Sequence, residues 1–473
     1  MALKIYNTMS GRKEPFKPRG DRVKMYVCGI TPYDDCHIGH ARCYVTFDVI
    51  RKYLRYKYKE VPVFYVQNFT DIDDKIIQKA KILHRDPFQL ADEYITRYYE
   101  VMDQLGVERP DETPRVSEHI PEVIHMIKVL MEKGYAYQGG EDVFYAVDKF
   151  KSYGKLSHRN LNEMRAGARV ERDSRKQSPF DFVLWKEAKP GEPFWNSPWG
   201  KGRPGWHIEC SVMSMKHLSW TLDIHGGGQD LVFPHHENEI AQSEAYSGQP
   251  FVRYWIHNGF VTMNKEKMSK SLGNIYTLKD LFMKYSPEVV RLFLISQHYR
   301  SPIDFSLAQL EDSRKMLERF NAVWRTLHHF KLESHAASKE RIKSRAASEM
   351  DMMKKKFEEA MDDDFNTALA LGVLNELATA INVFVSRPSF SEEDHQVLSG
   401  MRDVFVSMSG ILGLKELSFE KALPDELMDL IDRREKARRR KDYETADRIR
   451  RQLGKHGIIL EDTPRGTRWR RTR

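Results

Sequence analysis

Hydrophobic and polar residues follow two different periods in the first part of the chain. Segments 23–28 and 61–66 read as strands, whereas 41–56 and 71–83 carry apolar residues at helical spacing. This β-α-β-α order predicts an α/β fold with a doubly wound, Rossmann-like parallel sheet. A ligand is then expected at the carboxyl ends of the strands.

The pattern changes in the middle of the chain and again towards its end. Over 117–203 it weakens to one helix and a stretch rich in Pro, Gly and Trp, which indicates an insertion. Predicted strands at 221–225 and 255–263 resume the sheet. Roughly the last third is almost wholly helical, including 349–360 and 366–385. A helical domain is therefore expected after the α/β domain.

Length and cysteine use narrow the class of protein. A chain of 473 residues with 41% hydrophobic content is long enough for about three domains. No stretch approaches the roughly 20 apolar residues of a membrane span, and no signal peptide is evident at the N-terminus. Four cysteines form no disulfide framework. We expect a soluble, cytoplasmic protein in which Cys36 and Cys43 are buried or idle.

The net charge of +8 is unevenly distributed. Residues 433–473 contain 16 Lys/Arg against 6 Asp/Glu, a surplus of +10, so the first 432 residues sum to about −2. A solvated helix with Arg434 and Arg438 on one face explains part of this surplus. Trp469 and the strand-like run 457–460 instead favour a small folded module that binds a polyanion.

Two short signatures lie far apart in the sequence. The first is His-Ile-Gly-His at 37–40, and the second is Lys-Met-Ser-Lys-Ser at 267–271. Either alone could be an ordinary surface loop. Together, in this order and each beside a predicted strand, they resemble the HIGH and KMSKS motifs of class I aminoacyl-tRNA synthetases.

The chemistry of ATP activation explains the residue types in these signatures. A carboxylate that attacks the α-phosphate builds up negative charge, which positioned cationic and N–H donors stabilise. His37 and His40 lie three residues apart, on one face of a helix that starts there. Gly39 lets ATP lie against the backbone. We expect Lys267 and Lys270 to close on the pyrophosphate from a mobile loop.

Two other patterns mimic known sites. Residues 200–205 satisfy G-x-G-x-x-G, with Asp223 near the distance of a ribose-binding acid. The preceding Pro-rich run cannot be a buried strand, and Pro204 spoils the helix start, so we reject a dinucleotide site. His-Gly-Gly-Gly at 225–228 lacks the G-x-S-x-G of a serine hydrolase. The sequence contains no Walker A loop.

Cysteine, histidine and glutamate residues suggest a metal site. His235 and Glu239 are four residues apart behind Pro234, so a helix beginning there would place both on one face. With Cys28 and Cys210 they form a donor set that suits zinc. On spacing alone, His236 with Glu239 is a competing pair, and the cysteines could equally be small buried hydrophobes.

Longer runs of sequence make the resemblance more specific. The chain is similar to the cysteinyl-tRNA synthetase family over 28–42, 68–75, 202–211, 233–239, 361–367 and 446–469. This resemblance implies activation of L-cysteine by ATP to cysteinyl-adenylate and pyrophosphate, then transfer of cysteine to the 3′ end of tRNA(Cys). It also implies one Zn²⁺ per chain, held by Cys28, Cys210, His235 and Glu239.

Zinc provides a physical basis for selecting cysteine over serine, which is nearly isosteric. Ordinary pockets separate such pairs poorly, whereas zinc binds a thiolate far better than a neutral hydroxyl. Editing then becomes unnecessary. Four protein ligands normally close a zinc site. We therefore expect expansion to five ligands, or a weakly held Glu239, when the substrate sulfur binds. ATP is expected to act with Mg²⁺.

Other pocket residues follow from their types and positions. We assign ATP or adenylate binding to Gly39, His225, Gly226, Gly227, Asp230 and Lys270. We assign substrate binding to Thr70 and Trp206. A plain tight turn at 225–228, a helix cap at Asp230 and a core role for Trp206 remain open.

The resemblance also implies how tRNA binds. Its acceptor end is expected near the insertion, and its anticodon at the basic C-terminal module. We expect a catalytic domain at 1–116 and 206–262, a connective insertion at 117–205, the KMSKS loop and stem-contact region at 263–312, a helical bundle at 313–410 and an anticodon-binding domain at 420–473. The enzyme is expected to be monomeric. The alternatives are a cysteine ligase of mycothiol synthesis, which uses an amino-sugar acceptor, and a non-catalytic RNA-binding paralogue.

Overall fold

The structure is a computed structural model that describes residues 2–160, 173–264, 266–267, 276–329, 345–387, 390–414, 425–463 and 466–471. Two compact units are present. The first comprises Met1–Glu318, Ser348–Glu376 and Ser407–Leu414, and the second comprises Arg319–Ala347, Leu377–Val406 and Lys415–Arg473. Most of the second signature, including Lys270, lies outside the described residues, as do the side chains of Lys267 and Trp469.

The described helices are α1 (Ile38–Lys57), α2 (Asp74–Leu83), α3 (Pro87–Gln104), α4 (Ile120–Glu132), α5 (Trp206–His217), α6 (Glu237–Ser247), α7 (Leu278–Phe282), α8 (Pro287–Ile295), α9 (Leu307–His329), α10 (Arg345–Asp362), α11 (Thr367–Val385), α12 (Glu392–Ile411), α13 (Asp425–Arg439) and α14 (Tyr443–Lys455).

The described strands are β1 (Lys4–Asn7), β2 (Arg12–Pro15), β3 (Val23–Val27), β4 (Val63–Gln67), β5 (Ala136–Gly139), β6 (Asp142–Tyr145), β7 (Phe182–Glu187), β8 (Trp195–Ser197), β9 (Gly200–Pro204), β10 (Leu222–Gly228), β11 (Val252–Asn258), β12 (Val261–Met263), β13 (Glu266–Lys267), β14 (Ile303–Asp304), β15 (Ile458–Thr463) and β16 (Gly466–Arg471).

The predicted parallel sheet is present and confirms the α/β, doubly wound fold class. Its order is β11-β10-β3-β4, and all three pairings are parallel. The chain crosses from β4 on one side of β3 to β10 on the other, so the strand order switches beside β3. Helix α1 lies close to β10, because a side chain at Gly226 would come within 2.2 Å of the Phe47 ring. A ligand site is therefore expected at the carboxyl ends of these strands.

Helix caps and one break in a strand explain why some helices and strands begin or end at residues other than those predicted. Helix α1 begins three residues early because His37 caps it, and α2 begins three residues late because Asp73 accepts a hydrogen bond from the backbone of Lys75. The predicted strand at 255–263 divides into β11 and β12 at Gly259, whose N–H donates to the carbonyl of Tyr299. Strand β12 pairs instead with β13 and β14.

The stretch that reads as an irregular insertion contains a five-stranded antiparallel sheet of order β5-β6-β7-β9-β8. The G-x-G-x-x-G decoy lies largely within strand β9 and is not a phosphate loop. A side chain at Gly202 would approach the Trp185 ring nitrogen at 2.4 Å, and one at Gly205 would approach the Val183 carbonyl oxygen at 2.0 Å. These glycines permit close packing against β7, and Asp223 accepts from Arg253 and the backbone of Lys24.

The basic C-terminal segment folds, as predicted, into a small module. Helices α13 and α14 pack with the hairpin β15–β16 around an apolar core. That core comprises Ile431, Ile449, Leu453, Ile458 and Leu460. Arg434 is only 2% exposed, so the alternative of a uniformly solvated helix face is wrong at that residue.

Helix α11 bears on the expectation that no segment approaches a membrane span. This helix has 19 residues, and an 18-residue window of it has a mean hydropathy of 1.7. By length and composition alone, it is long and apolar enough to cross a membrane. By that criterion the expectation is wrong. The criterion is weak evidence for a span, because the core helix of a soluble protein also meets it.

Candidate active site

Donor groups from several elements meet at the carboxyl edge of the parallel sheet. Cys28 directly follows β3, and Cys210 lies in α5. His235 belongs to the turn Val232–His236, and Glu239 lies in the first turn of the next helix, α6. Helix α6 begins at Glu237 and not at Pro234. Even so, the His235 Nε2 and Glu239 Oε1 atoms approach to 3.0 Å.

The four predicted ligands form one buried group, whose ligand atoms all lie within 4.8 Å of one another. The two sulfurs are 3.7 Å apart, and Cys28 Sγ lies 3.6 Å from Glu239 Oε1. A tetrahedral zinc ion with ordinary bond lengths would separate two sulfurs by about 3.8 Å, and a sulfur and an oxygen by about 3.6 Å. The donor set and its spacing therefore fit such an ion.

A second group overlaps the first. Cys28, His225, His236 and Glu239 also present ligand atoms within 4.8 Å of one another. His236 Nε2 lies 3.3 Å from Cys28 Sγ but 3.9 Å from Glu239 Oε1, and its Nδ1 is 2.7 Å from His257 Nε2. This second group has one sulfur where the first has two. Cys28 and Glu239 are common to both.

The electrostatics of the cluster favour anionic donors at two positions. A hydrogen bond from Cys28 lowers the pKa of Cys210 to about 6, while burial raises the pKa of Cys28. Burial alone would raise the pKa of Glu239, yet His225 and His235 lower it to about 2. A thiolate and a carboxylate thus coexist in a buried pocket, which is an environment that attracts a cation.

Aromatic rings surround these donors. Trp206 stacks on the His235 ring with centroids 4.5 Å apart, and 44% of its surface is exposed. On the other side, His225 stacks on Trp255 at 4.6 Å and contacts Glu239 Oε2 through Nε2 at 2.8 Å. His225 itself is fully buried. Trp206 thus gives the cluster an exposed aromatic wall.

Asn68 fixes the start of the loop after β3. Its Oδ1 accepts the Gly29 N–H at 2.8 Å and lies 3.8 Å from Cys210 Sγ. A side chain at Gly29 would come within 1.5 Å of the Asn68 carbonyl oxygen, so only glycine fits there. Thr70, a predicted substrate-binding residue, is buried and donates to Glu209 Oε2 at 3.0 Å.

The first ATP signature forms the start of α1. His37 is the N-cap, and its Nδ1 accepts the N–H groups of Gly39 at 3.1 Å and His40 at 3.3 Å. His40 Nδ1 in turn accepts the His37 N–H at 3.3 Å, and the two rings stack at 3.7 Å. Both histidines therefore lie on one face, as the spacing predicts. A side chain at Gly39 would meet the His37 ring at 2.9 Å.

Backbone hydrogen bonds join both sides of the second signature to the rest of the unit. On one side, Lys267 pairs with Thr262 of β12. On the other, Leu278 N donates to the Cys36 carbonyl at 2.8 Å, and Ile38 N donates to the Tyr276 carbonyl at 3.2 Å. The residues that follow the second signature are thus bonded directly to the first.

The remaining predicted pocket residues lie at the end of β10 or just after it. A side chain at Gly227 would come within 2.8 Å of Leu231, and one at Gly228 within 2.5 Å of Asp230 Oδ1. Asp230 is exposed and lies in the turn Gln229–Leu231. These residues lie on the chain between His225 and the turn that carries His235.

Sequence reasoning missed several polar residues of the cluster. His207 Nδ1 lies 2.9 Å from His235 Nδ1, and His257 links His236 to the Thr8 hydroxyl. Asn68 and Glu209 were not singled out either. The adjacent Trp-His-Ile-Glu-Cys run could have indicated His207. Nothing in the local sequence marks His257, which lies in a buried strand.

Comparisons with known proteins agree with this geometry. Residues 15–315 match the family model described as tRNA synthetases class I (C) catalytic domain. Residues 356–416 match the DALR domain, and 420–470 match the cysteinyl-tRNA ligase anticodon binding domain. The chain therefore belongs to the class I aminoacyl-tRNA synthetases.

Curated relatives narrow the class. A cysteine–tRNA ligase of Pelotomaculum thermopropionicum is 50% identical over 486 residues, which cover 99% of this chain and 100% of the relative. One of Heliobacterium modesticaldum is also 50% identical, and the match covers 100% of both chains. Within its class, the chain belongs to the cysteine–tRNA ligases.

A solved structure supports the fold alone. Mycobacterium tuberculosis methionyl-tRNA synthetase in complex with methionyl-adenylate has a TM-score of 0.62 at 15% identity, covering 84% of this chain and 92% of that one.

The relatives and family models confirm the predicted family, enzyme class and reaction. The enzyme joins cysteine to tRNA at the expense of ATP, and the anticodon-binding match supports the predicted tRNA partner.

Proposed function

We propose that Cys28, Cys210, His235 and Glu239 hold one Zn²⁺ that selects cysteine for activation. The observation that carries this proposal is a pair of buried sulfurs 3.7 Å apart, with an imidazole nitrogen and a carboxylate oxygen within 4.8 Å. When bound, this ion would favour a thiolate over a neutral hydroxyl and lower the pKa of the substrate thiol. We prefer this set to the one with His236 because it includes both sulfurs.

Glu239 is the ligand that we expect to yield when the substrate sulfur arrives. Its Oε1 faces His235 and Cys28, whereas its Oε2 is held by His225 at 2.8 Å. A carboxylate with a second hydrogen-bonded partner can leave or lengthen one contact without becoming an unpaired buried charge. His225 thus supports Glu239, in addition to the adenylate contact predicted for it.

Trp206 and Thr70 would complete the cysteine pocket. The exposed Trp206 ring stacks on His235 and offers an apolar surface beside the sulfur site. Thr70 is oriented by Glu209 and lies in the segment that begins at Asn68, which contacts Cys210. The small side chain of cysteine would be enclosed between Trp206 and Thr70, while the carboxylate of the bound cysteine points towards the nucleotide. A pocket of this kind separates two substrates that differ by one methylene group by only about 1–3 kcal/mol. The contact to the substrate sulfur must therefore supply most of the selectivity for cysteine over serine.

The reaction itself depends on positioned cationic and N–H groups. We propose that His37 and His40 stabilise the phosphates of ATP, and that Lys267 and Lys270 act on the departing pyrophosphate with Mg²⁺. Gly39 allows close approach of ATP to the start of α1. Gly226, Gly227 and Asp230 are the proposed contacts of the nucleoside. The stacked histidine rings at the start of α1 support this arrangement.

Different regions of the chain are assigned to different parts of the tRNA. We propose that 117–205 and 263–312 meet the acceptor arm of tRNA(Cys), and that 420–473 binds its anticodon. The basic surplus of +10 in residues 433–473 supports the latter. A monomeric, cytoplasmic enzyme is proposed, with 313–410 as the intervening helical bundle.

One preparation tests the proposal. Cysteine-dependent ATP–pyrophosphate exchange and charging of total tRNA are measured before and after metal removal, with zinc content followed in parallel. Loss of exchange on removal, and its recovery with Zn²⁺ alone, is the expected result. Full exchange in metal-free enzyme would overturn the zinc assignment. Exchange without charging would favour the amino-sugar ligase.

A further inference from the structure

The turn that joins α10 to α11 has a backbone conformation that residues with side chains seldom adopt. Asp364 and Phe365 have φ values of +63° and +54°, both in the left-handed region. A helix commonly ends with one such residue, most often glycine, whereas this turn has two in succession and neither is glycine. Such a conformation persists only where its surroundings hold it. The contacts of Asp364 show what holds it here.

The carboxylate of Asp364 is wholly buried and is bonded through both of its oxygens. Its Oδ1 accepts the backbone N–H of Tyr6 at 2.8 Å and the hydroxyl of Tyr299 at 2.8 Å. Its Oδ2 accepts the Nε–H of Arg300 at 2.6 Å and lies 3.6 Å from His298 Nε2. A buried charge requires such partners. Three consecutive residues of the chain thus converge on one carboxylate.

Those three residues belong to a stretch, 297–305, which we call the linking segment. It contains β14, which pairs in parallel with β12. The carbonyl of Thr262 in β12 accepts the Phe305 N–H at 2.7 Å, and Thr262 also pairs with Lys267, the first residue of the second ATP signature. The linking segment therefore supports the strand that leads into this signature.

The linking segment also contacts the chain beyond the second signature and the helix that carries the first. The Phe305 ring lies 4.9 Å from the Tyr276 ring, centre to centre. Arg42 lies two residues after the first signature and is buried. Its guanidinium donates to the carbonyl of Leu294 and to that of His298, the latter at 2.8 Å. Asp364 and α1 therefore hold the same segment from two sides.

We infer that Asp364 is a positioning residue for the activation of cysteine by ATP. By holding residues 298–300, it sets where the linking segment places Lys267 relative to the start of α1. This inference rests on the role at the departing pyrophosphate that is proposed above for Lys267 and Lys270. Asp364 acts through the linking segment and not on the reacting atoms. Its effect should fall on the handling of pyrophosphate and not on cysteine or zinc.

Asp364→Asn in the full-length enzyme is the principal test. Asparagine has the same shape and tolerates the left-handed backbone, so the turn is preserved while the charge that pairs with Arg300 is lost. A misplacement of about 1 Å can cost about 100-fold in rate, so we expect kcat for ATP–pyrophosphate exchange to fall about tenfold or more. The KM for pyrophosphate should rise about fivefold, while zinc content and the KM for cysteine stay within about twofold of the parent. A burst of adenylate formation counts the active sites.

The same measurements separate positioning from a merely structural role. Loss of folded enzyme lowers the number of active sites, but it leaves kcat per active site and every KM at the parent value. That pattern in Asp364→Asn would overturn the inference.

Arg300→Gln is a second variant, which changes the partly exposed side of the same contact. It should lower kcat and raise the KM for pyrophosphate to a similar extent, and it carries the test alone where Asp364→Asn yields no folded enzyme. The double variant should be no slower than the slower single variant, because both substitutions break one contact. Parent values in Arg300→Gln, or additive losses in the double variant, would contradict the inference.

Asp363→Asn is the matched control, because it makes the same change of charge in the same turn. Asp363 is exposed and pairs with Lys13 at 2.5 Å, so it does not hold the linking segment. An exposed pair of this kind contributes little. Both kcat and the KM for pyrophosphate should therefore stay at the parent values. An equal loss in this control would mean that the charge of the turn matters and that the assignment to Asp364 is wrong.

Lys270→Ala distinguishes failure of this inference from failure of the proposed function. We expect this variant to lower kcat for exchange and to raise the KM for pyrophosphate. Parent values in Lys270→Ala would contradict the proposed function, and the inference with it. A clear effect of Lys270→Ala, together with parent values in Asp364→Asn, would overturn the inference alone.

Discussion

The cluster of Cys28, Cys210, His235 and Glu239 lies in the same compact unit as the N-terminus of α1, but the two are built in opposite ways. In the cluster, side chains from several elements converge, every proposed ligand is buried, and the contacts join side chain to side chain. At the start of α1, His37 and His40 are near neighbours in sequence, are half-buried, and bond to their own backbone.

The difference shows two routes to a site for charged groups. The cluster is preorganised by packing, so its geometry depends on residues far apart in the chain. The α1 terminus is preorganised by helix capping, so its geometry depends on four consecutive residues. Substitutions in the cluster should therefore disturb metal and amino-acid binding together, whereas those in α1 should affect the nucleotide step alone.

The largest expected effect is that of Cys210→Ala. Removal of one sulfur should lower the zinc content from about one per chain to near zero, and should lower cysteine-dependent exchange by more than about 100-fold. Metal analysis and exchange are measured on the same sample. Cys43→Ala, at a half-buried cysteine outside both ligand groups, is the matched control. Retention of zinc and exchange in Cys210→Ala would refute the assignment.

The second expected effect separates the two overlapping ligand groups. His235→Asn should weaken zinc binding by about 100-fold or more, because it removes a direct ligand. His236→Asn should weaken it by only about tenfold, as expected of a residue that supports the ligands. Competition with a chelator of known affinity measures both. The reverse order would favour the group formed by Cys28, His225, His236 and Glu239.

The third prediction separates two roles of His37, which are to cap helix α1 and to stabilise the phosphates of ATP. Asn is among the best N-cap residues, so His37→Asn should keep the stability of α1 while exchange falls by about 100-fold. His37→Ala should lose similar activity and also about 1 kcal/mol of unfolding free energy. Zinc content and the KM for cysteine should stay unchanged in both. A large rise in that KM would show that the two regions are coupled.

The smallest expected effect is that of Gly39→Ala. Alanine favours a helix by about 1 kcal/mol over glycine, but the added carbon meets the His37 ring at 2.9 Å. The ring must move, so the cap weakens by a similar amount and the net stability should change little. Exchange should fall a few-fold through kcat. An unchanged kcat would indicate that the stacked ring positions do not matter for ATP.

The sequence predicted the cluster unevenly. His235 and Glu239 could be paired by their spacing, and Cys28 could be placed by the rule for parallel sheets. Cys210 entered the predicted set by residue type alone, and the resemblance to a family made it specific, since no local pattern links α5 to β3. His257 and Thr8 could not be found, because they lie 249 residues apart and come together only in the folded chain.

The insertion was less predictable than the sheet for a different reason. Strands such as β8 and β9 are only three and five residues long and contain or adjoin Gly and Pro. Such strands are stabilised by their neighbours more than by their own propensity. The parallel strands β3, β4 and β11, in contrast, are largely buried and rich in apolar residues. The existence and the order of appearance of all four parallel strands were predicted.

The backbone bonds between residues 36–38 and 276–278 have a consequence for how the length of this chain could vary. The two ATP signatures are about 230 residues apart in sequence, yet residues just after the second are joined by backbone hydrogen bonds to residues at the start of the first. Added or deleted residues in most of the intervening chain would leave those bonds untouched. A single deletion between Lys267 and Tyr276 would shorten the segment that joins two paired positions, so indels should be tolerated in the long interval and excluded from the short one.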